Sequence, residues 1–107
     1  MMRFVAAAAL AAGTTAAAAQ TPAEQIEAGR RAYTSFCARC HGINLVVTSS
    51  AYFDLRTFPG DDKPRFVRSV VEGKRAMPAW GGIVKPEQIE AIWAYVGSVN
   101  GWPAAPQ

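Results

Sequence analysis

The chain has 107 residues, half of them apolar, with a formal net charge of +3, two cysteines and one histidine. That length allows a single domain with a modest core. The charge is slight and no basic run is interleaved with aromatics, which argues against a nucleic-acid partner. Two cysteines and one histidine fall short of a four-ligand zinc site.

Met1-Met2-Arg3 is a short basic start, Phe4 to Ala12 a compact apolar run, and Ala17-Ala18-Ala19 an A-x-A cleavage site before Gln20. Residues 1–19 therefore read as a secretory signal peptide, and residues 20–107 as the mature domain. A membrane span takes about 20 apolar residues, more than this run supplies. The other reading of the segment is an uncleaved anchor. The expectation is a periplasmic protein with no stable membrane span once the signal is removed. Loss of Arg3 leaves a net charge of +2.

Thr21-Pro22-Ala23-Glu24 opens a helix: Thr21 caps, Pro22 suits the first position and Glu24 completes the box. Ile26, Gly29, Tyr33 and Phe36 recur on one helical face, so this helix should end near Phe36 and deliver Cys37. Gly29 is unfavourable in mid-helix. Its value would be to admit another backbone or a ring. Residues 42–61 have no sustained period and read as a loop, with a short strand as the alternative over the alternating Phe53, Leu55 and Phe58. Pro59-Gly60-Asp61 is a turn signal. Asp62 caps a second helix with Pro64 early in it. Phe66, Val67, Val70 and Val71 form its inner face, Arg65, Arg68 and Glu72 its outer face, and Gly73 its stop. Lys74 to Lys85 is irregular again. The last helix opens at Pro86, carries Ile89, Ile92, Trp93 and Val96 at helical spacing, and ends at Asn100-Gly101. Residues 100–107 read as a loose tail. The fold class is all-α, three to four helices joined by loops.

The motif with chemistry is Cys37-Ala38-Arg39-Cys40-His41, the attachment pattern of a c-type haem. Two thiols add to the two vinyl groups on one side of the macrocycle, and the residue after them turns its imidazole onto the iron. Cys37 and Cys40 would be the thioether positions and His41 the first axial ligand. A redox dithiol would need a βαβ surround, which the helical pattern does not offer. A structural disulfide would close too small a loop to matter and would leave His41 without a role.

Met1 and Met2 leave with the signal, so Met77 is the only methionine of the mature chain. It stands in Ala76-Met77-Pro78-Ala79-Trp80, between two helices. Uniqueness and loop position favour it as the second axial ligand over a gap-filling core methionine. Lys74 and Lys85 are the weaker alternatives. Iron held by histidine and a thioether has no vacant site for oxygen or peroxide. It changes oxidation state with little nuclear movement, which suits electron transfer.

Cys37-x-x-Cys40-His41-Gly42 with Met77-Pro78 downstream resembles the class I c-type cytochromes, over about Ala23 to Asn100. Gly29 followed by Tyr33, and Trp93-x-Tyr95, resemble the two helices that cross in that family. The resemblance implies a cytochrome c fold, three to four helices around one covalent haem c. It also implies that Leu55 packs on the haem and that Arg56 and Trp80 meet the propionates or pack beside them. One feature departs from the family. The usual proline some ten residues after the histidine, whose carbonyl accepts the imidazole N–H, is missing. Residues 48–52 read Thr-Ser-Ser-Ala-Tyr, so the acceptor is open at this stage.

The expected function is that of a monomeric single-electron carrier, not an enzyme and with no catalytic residue. The run Phe53 to Pro59 and the block from Phe66 to Trp80 are similar to cytochromes that accompany PQQ-dependent alcohol dehydrogenases. Such a dehydrogenase is the expected donor, and a terminal oxidase or another cytochrome the acceptor. Arg39, Lys74, Arg75 and Lys85 would ring the docking face. The alternatives are a haem-bearing subunit of a dehydrogenase complex, or a small haem peroxidase or gas sensor if Met77 is not a ligand.

Overall fold

Thr21 starts the first helix by accepting the Glu24 N–H on its hydroxyl at 3.1 Å, while the Glu24 carboxylate receives the Thr21 N–H and hydroxyl. A cap of this kind contributes about 1 kcal/mol. In the computed structural model, which describes residues 2–6 and 19–103, helix α1 runs Pro22–Phe36 and a single turn, α2, runs Ala38–His41. Helix α3 spans Lys63–Glu72 and α4 spans Pro86–Asn100. Among the described residues there is no β-strand, and the fold is all-α as expected. Most of the expected signal peptide, residues 7–18, and the last four residues of the tail, 104–107, lie outside the described residues.

Helices α1 and α4 cross at Gly29. A Cβ there would lie 1.9 Å from the Ala91 carbonyl oxygen and 2.9 Å from the Tyr95 Cβ. The glycine therefore lets the backbones touch, as its position in mid-helix suggested. Tyr33 and Tyr95 pack beside the crossing with ring centroids 5.3 Å apart. Tyr33, Leu45, Ile92 and Val96 are the most deeply buried large side chains.

Residues 42–61 form two 3₁₀ turns, Ile43–Leu45 and Leu55–Thr57, and no strand. Local side-chain bonds displace the ladder a strand would need. The Asp54 carboxylate accepts the Arg56 N–H at 3.0 Å, and the Thr57 hydroxyl donates to the Asp54 carbonyl at 2.7 Å.

Asp62 caps α3 by accepting the Arg65 N–H, and Gly73 ends it at φ 76°. Phe66 and Val70 are buried, but Val71 is 39% exposed, because four apolar positions cover a wider stripe than α3 buries. Arg65 does not simply face out. Its guanidinium lies 4.5 Å from the Phe58 ring centroid, and its Nε pairs with Asp62 at 3.0 Å. Lys63 and Glu90 form an ion pair from α3 to α4.

Residues 73–85 make two tight turns. Lys74 and Met77 exchange backbone hydrogen bonds of 3.1 and 3.0 Å. The Trp80 N–H returns to the Val70 carbonyl at 2.8 Å, which ties the segment to the end of α3. Helix α4 ends at Gly101 in the left-handed region, φ 70°. The tail is docked at its start. The Trp102 N–H donates to the Gly97 carbonyl at 2.9 Å, and its ring leans on Trp93 at a 47° tilt with centroids 4.6 Å apart. Gly60 and Gly97 leave the slot for it, since a Cβ at either would come within 2.9 Å of the indole.

Candidate haem site

Helix α1 delivers Cys37 at its end, with the Cys37 N–H on the Tyr33 carbonyl at 2.8 Å. The chain then winds one more turn. The His41 N–H donates to the Cys37 carbonyl at 3.0 Å, so Cys37, Cys40 and His41 share one helical turn. Both cysteines are half-buried. Burial, with the neighbouring Cys40 as the smaller cause, pushes the Cys37 thiol up to about 11. A redox dithiol needs the opposite shift, toward thiolate. Among the described residues no group of three or more His, Cys, Asp or Glu side chains could hold a metal, so the motif does not converge as a zinc site.

The His41 ring is held through Nδ1, which lies 3.0 Å from the Phe53 carbonyl oxygen. A carbonyl can only accept, so Nδ1 carries the proton and Nε2 presents its lone pair. The acceptor that the missing proline left open is thus Phe53, on the stretch leading into the second 3₁₀ turn. No sequence signal could have named it, because a backbone carbonyl has no residue type of its own.

Two further contacts hold the turn that follows His41. Gly42 takes φ 88°, where a Cβ would sit 1.8 Å from the Val46 carbonyl oxygen. The Tyr33 hydroxyl donates to the Gly42 carbonyl at 2.6 Å. The Tyr95 hydroxyl reaches the Asn44 Oδ1 at 3.4 Å. Burial, the largest cause, holds the Tyr33 phenol well above its ordinary pKa and keeps it a donor. Sequence reasoning missed both roles. The signal was there: a tyrosine on a buried helical face must find a partner for its hydroxyl.

Met77 is half-buried and, like Phe36, Cys37, Ala38, Val67 and Trp80, packs against the core. Trp80 lies 5.7 Å from Phe36, ring to ring. Leu55 is buried and its carbonyl accepts the Asn100 amide at 3.0 Å. Arg56 is exposed, and its guanidinium is taken by Asp54, with Nε–Oδ1 3.0 Å and Nη2–Oδ2 2.9 Å. That hydrogen bonding raises the Arg56 pKa and lowers that of Asp54.

These residues fit a covalent macrocycle. Cys37 and Met77 both pack, half-buried, against the core, and close to His41 in sequence Val46, Tyr52 and Phe53 stand exposed. An apolar plate tethered at the two thiols would cover such a surface. Neither a zinc ion nor a disulfide would do so.

Comparison with known proteins agrees. The family described as Cytochrome C oxidase, cbb3-type, subunit III matches residues 24–96. Cytochrome c6 of Nostoc sp. is 39% identical over 72 residues, 64% of this chain and 65% of that protein. Quinohemoprotein alcohol dehydrogenase ADH IIB of Pseudomonas putida is 33% identical over 78 residues, 70% of this chain but 11% of the dehydrogenase. The cbb3-type cytochrome c oxidase subunit FixP of Azorhizobium caulinodans is 33% identical over 91 residues, 80% of this chain and 30% of the subunit. The chain thus spans less than two thirds of each of these three relatives. No solved structure matches it. Among the described residues no helix is long and apolar enough to cross a membrane. The cofactor of this family is covalently bound haem c, and the helical fold and the Cys-x-x-Cys-His turn agree with it: the chain belongs to the class I c-type cytochromes.

Proposed function

We propose that this cytochrome is a periplasmic single-electron shuttle, exported through the signal at residues 1–19. Cys37 and Cys40 tether its haem, and His41 and Met77 hold the iron. The observation that carries the reading is the His41 ring, whose Nδ1 is fixed on Phe53 and whose Nε2 is left to face the metal. When bound, the haem supplies an iron that gains or loses one electron. The chain's own residues would orient the imidazole, present the Met77 sulfur and exclude water with the apolar side chains of Phe36, Val67 and Trp80. Histidine with thioether favours the ferrous state over bis-histidine ligation and raises the potential. Leu55 and Trp80 would pack on the haem, and Arg56, now paired with Asp54, would be the cation available to a propionate.

The proposed donor is a periplasmic PQQ-type alcohol dehydrogenase, and the acceptor a terminal oxidase or another cytochrome. The matches to a dehydrogenase and to an oxidase subunit support this choice. Arg39, Lys74, Arg75 and Lys85 are exposed, and none of them enters an ion pair among the described residues. They suit an acidic partner surface, with association falling as salt rises. The same matches support a second reading, a haem-bearing subunit of a dehydrogenase complex, since in those relatives the matched part is a fraction of a longer chain. Solution mass separates the two: the shuttle is a monomer that accepts electrons from a soluble dehydrogenase, and the subunit is not.

The ligand set is tested by absorption spectra of the matured protein in both oxidation states, with Met77→Ala alongside. The reading expects a weak far-red sulfur-to-iron band in the oxidised parent and its loss in the variant. A parent without that band, or a ferrous parent that binds carbon monoxide rapidly and tightly, overturns it.

A further inference from the structure

We propose that Tyr33 is a positioning residue for the haem iron: its hydroxyl, on the Gly42 carbonyl, holds the turn that aims His41. The proposal rests on His41 being the ligand and asks what keeps its ring where Nε2 can face the metal.

The turn after His41 is not a relaxed one. Gly42 sits at φ 88°, and Asn44 and Leu45 follow at 54° and 66°, so two residues with side chains occupy the left-handed region in succession. A backbone in such a state persists only where its surroundings over-determine it. Here they do. Leu45 is 0% exposed, which anchors the far end of the turn in the core. The near end is pinned by Tyr33, 1% exposed, through the 2.6 Å bond to Gly42. The bond lies one peptide beyond His41, whose own ring is caught from the other side by the Phe53 carbonyl at 3.0 Å. If the turn relaxes, His41 rotates about its backbone and the Nδ1–H···O bond lengthens. A weaker bond at Nδ1 makes Nε2 a poorer electron donor, and a poorer donor stabilises ferric iron less.

Tyr95 is the internal comparison. It packs against Tyr33 and offers the same hydroxyl to the same turn, but to a side chain, at 3.4 Å. The two tyrosines share one burial environment and differ in the quality of their bond to the turn.

The test uses the haem-loaded protein and the variants Tyr33→Phe and Tyr95→Phe, each of which removes a single oxygen. Reduction midpoint potential is measured together with the hyperfine-shifted proton resonances of the axial histidine. The expected result is an upward shift in potential and displaced His41 ring resonances in Tyr33→Phe, with a clearly smaller change in Tyr95→Phe. Unchanged potential and resonances in Tyr33→Phe, with only lower thermal stability, would reduce Tyr33 to a packing residue and overturn the proposal. If Tyr33→Phe does not mature, fluorinated tyrosine at position 33 keeps ring and hydroxyl and changes donor strength; a potential that ignores that change also overturns it. A parent spectrum without axial-histidine resonances would instead refute the ligation by His41 itself.

Discussion

The two iron ligands proposed for this cytochrome stand on very different supports. His41 follows directly from α1, the helix that crosses α4 at Gly29, and its turn is held by Tyr33, by buried Leu45 and by the Phe53 carbonyl. Met77 stands on a tight turn closed by two backbone bonds to Lys74, with exposed Ala76 and Pro78 on either side. The turn even carries strain, for Arg75 at its tip takes φ 54°. The lesson is one of division of labour. The histidine side is built into the core. The methionine side is light, and it is where an exogenous ligand should displace the protein first.

The most damaging way to break this contrast is Gly29→Ala. Its Cβ would overlap the Ala91 carbonyl, so the helices must part. We expect the holoprotein to lose about 3 kcal/mol and roughly 15 °C in melting temperature. Because α1 leads directly into the motif, the histidine side should loosen with it. Thermal unfolding followed at the haem band checks both. An unchanged melting temperature would show that the crossing is not the rigid frame described above.

Next in size is Trp102→Ala. The indole closes over Gly60, on the same loop as Phe53, and over Gly97 of α4. Its removal should cost about 2 kcal/mol in denaturant unfolding and should leave the sulfur-to-iron band intact. Loss of that band would mean that the tail supports the methionine side, contrary to the contrast drawn.

Arg75→Gly sharpens the comparison from the other end. Glycine relieves the left-handed strain, and we expect a gain of about 0.5 kcal/mol after its own entropic penalty. The sign is the informative part. Cyanide or imidazole should displace Met77 more slowly in this variant, by stopped-flow absorbance. Faster displacement would show that the arginine side chain, not the backbone, holds the turn.

The smallest effect concerns pH. The Asp54 pKa is lowered by hydrogen bonds from Arg56, and the same carboxylate caps the Leu55–Thr57 turn. A lowered carboxyl pKa adds stability above the unfolded value, near 3.9, and that stability is lost as pH falls through the folded value. Asp54→Asn should therefore lower stability slightly near neutrality and make no difference below the folded value, so that its stability curve is flatter on the acid side. The pair is solvent-exposed, so high salt should erase most of the difference.

Much of this was legible in the sequence. Thr21, Pro22 and Glu24 announce α1, Asp62 and Gly73 bracket α3, and Gly101 stops α4, because caps and terminators act within a turn of chain. The covalent motif was legible for the same reason. What escaped were contacts whose partners are remote or lack a side-chain signature. The acceptor for His41 is a main-chain carbonyl at Phe53. The docking of Trp102 depends on two glycines, Gly60 and Gly97, from different segments. Arg65 looked like a solvent residue until Phe58 was found beneath it. The loop at residues 42–61 was an expected loop, but its direction depends on Asn44 and Leu45 at positive φ, which neither residue type declares.

The measurement that tests the central claim most directly is a proton NMR spectrum of the ferrous holoprotein, parent beside Met77→Ala. A methionine bound to low-spin haem iron lies over the porphyrin, where the ring current drives its methyl and methylene protons far upfield of every other signal. One such set is predicted in the parent, beside upfield-shifted His41 ring resonances, and none in the variant. A parent without the upfield methionine set, or a set that survives in Met77→Ala, would contradict the proposed pairing of His41 and Met77.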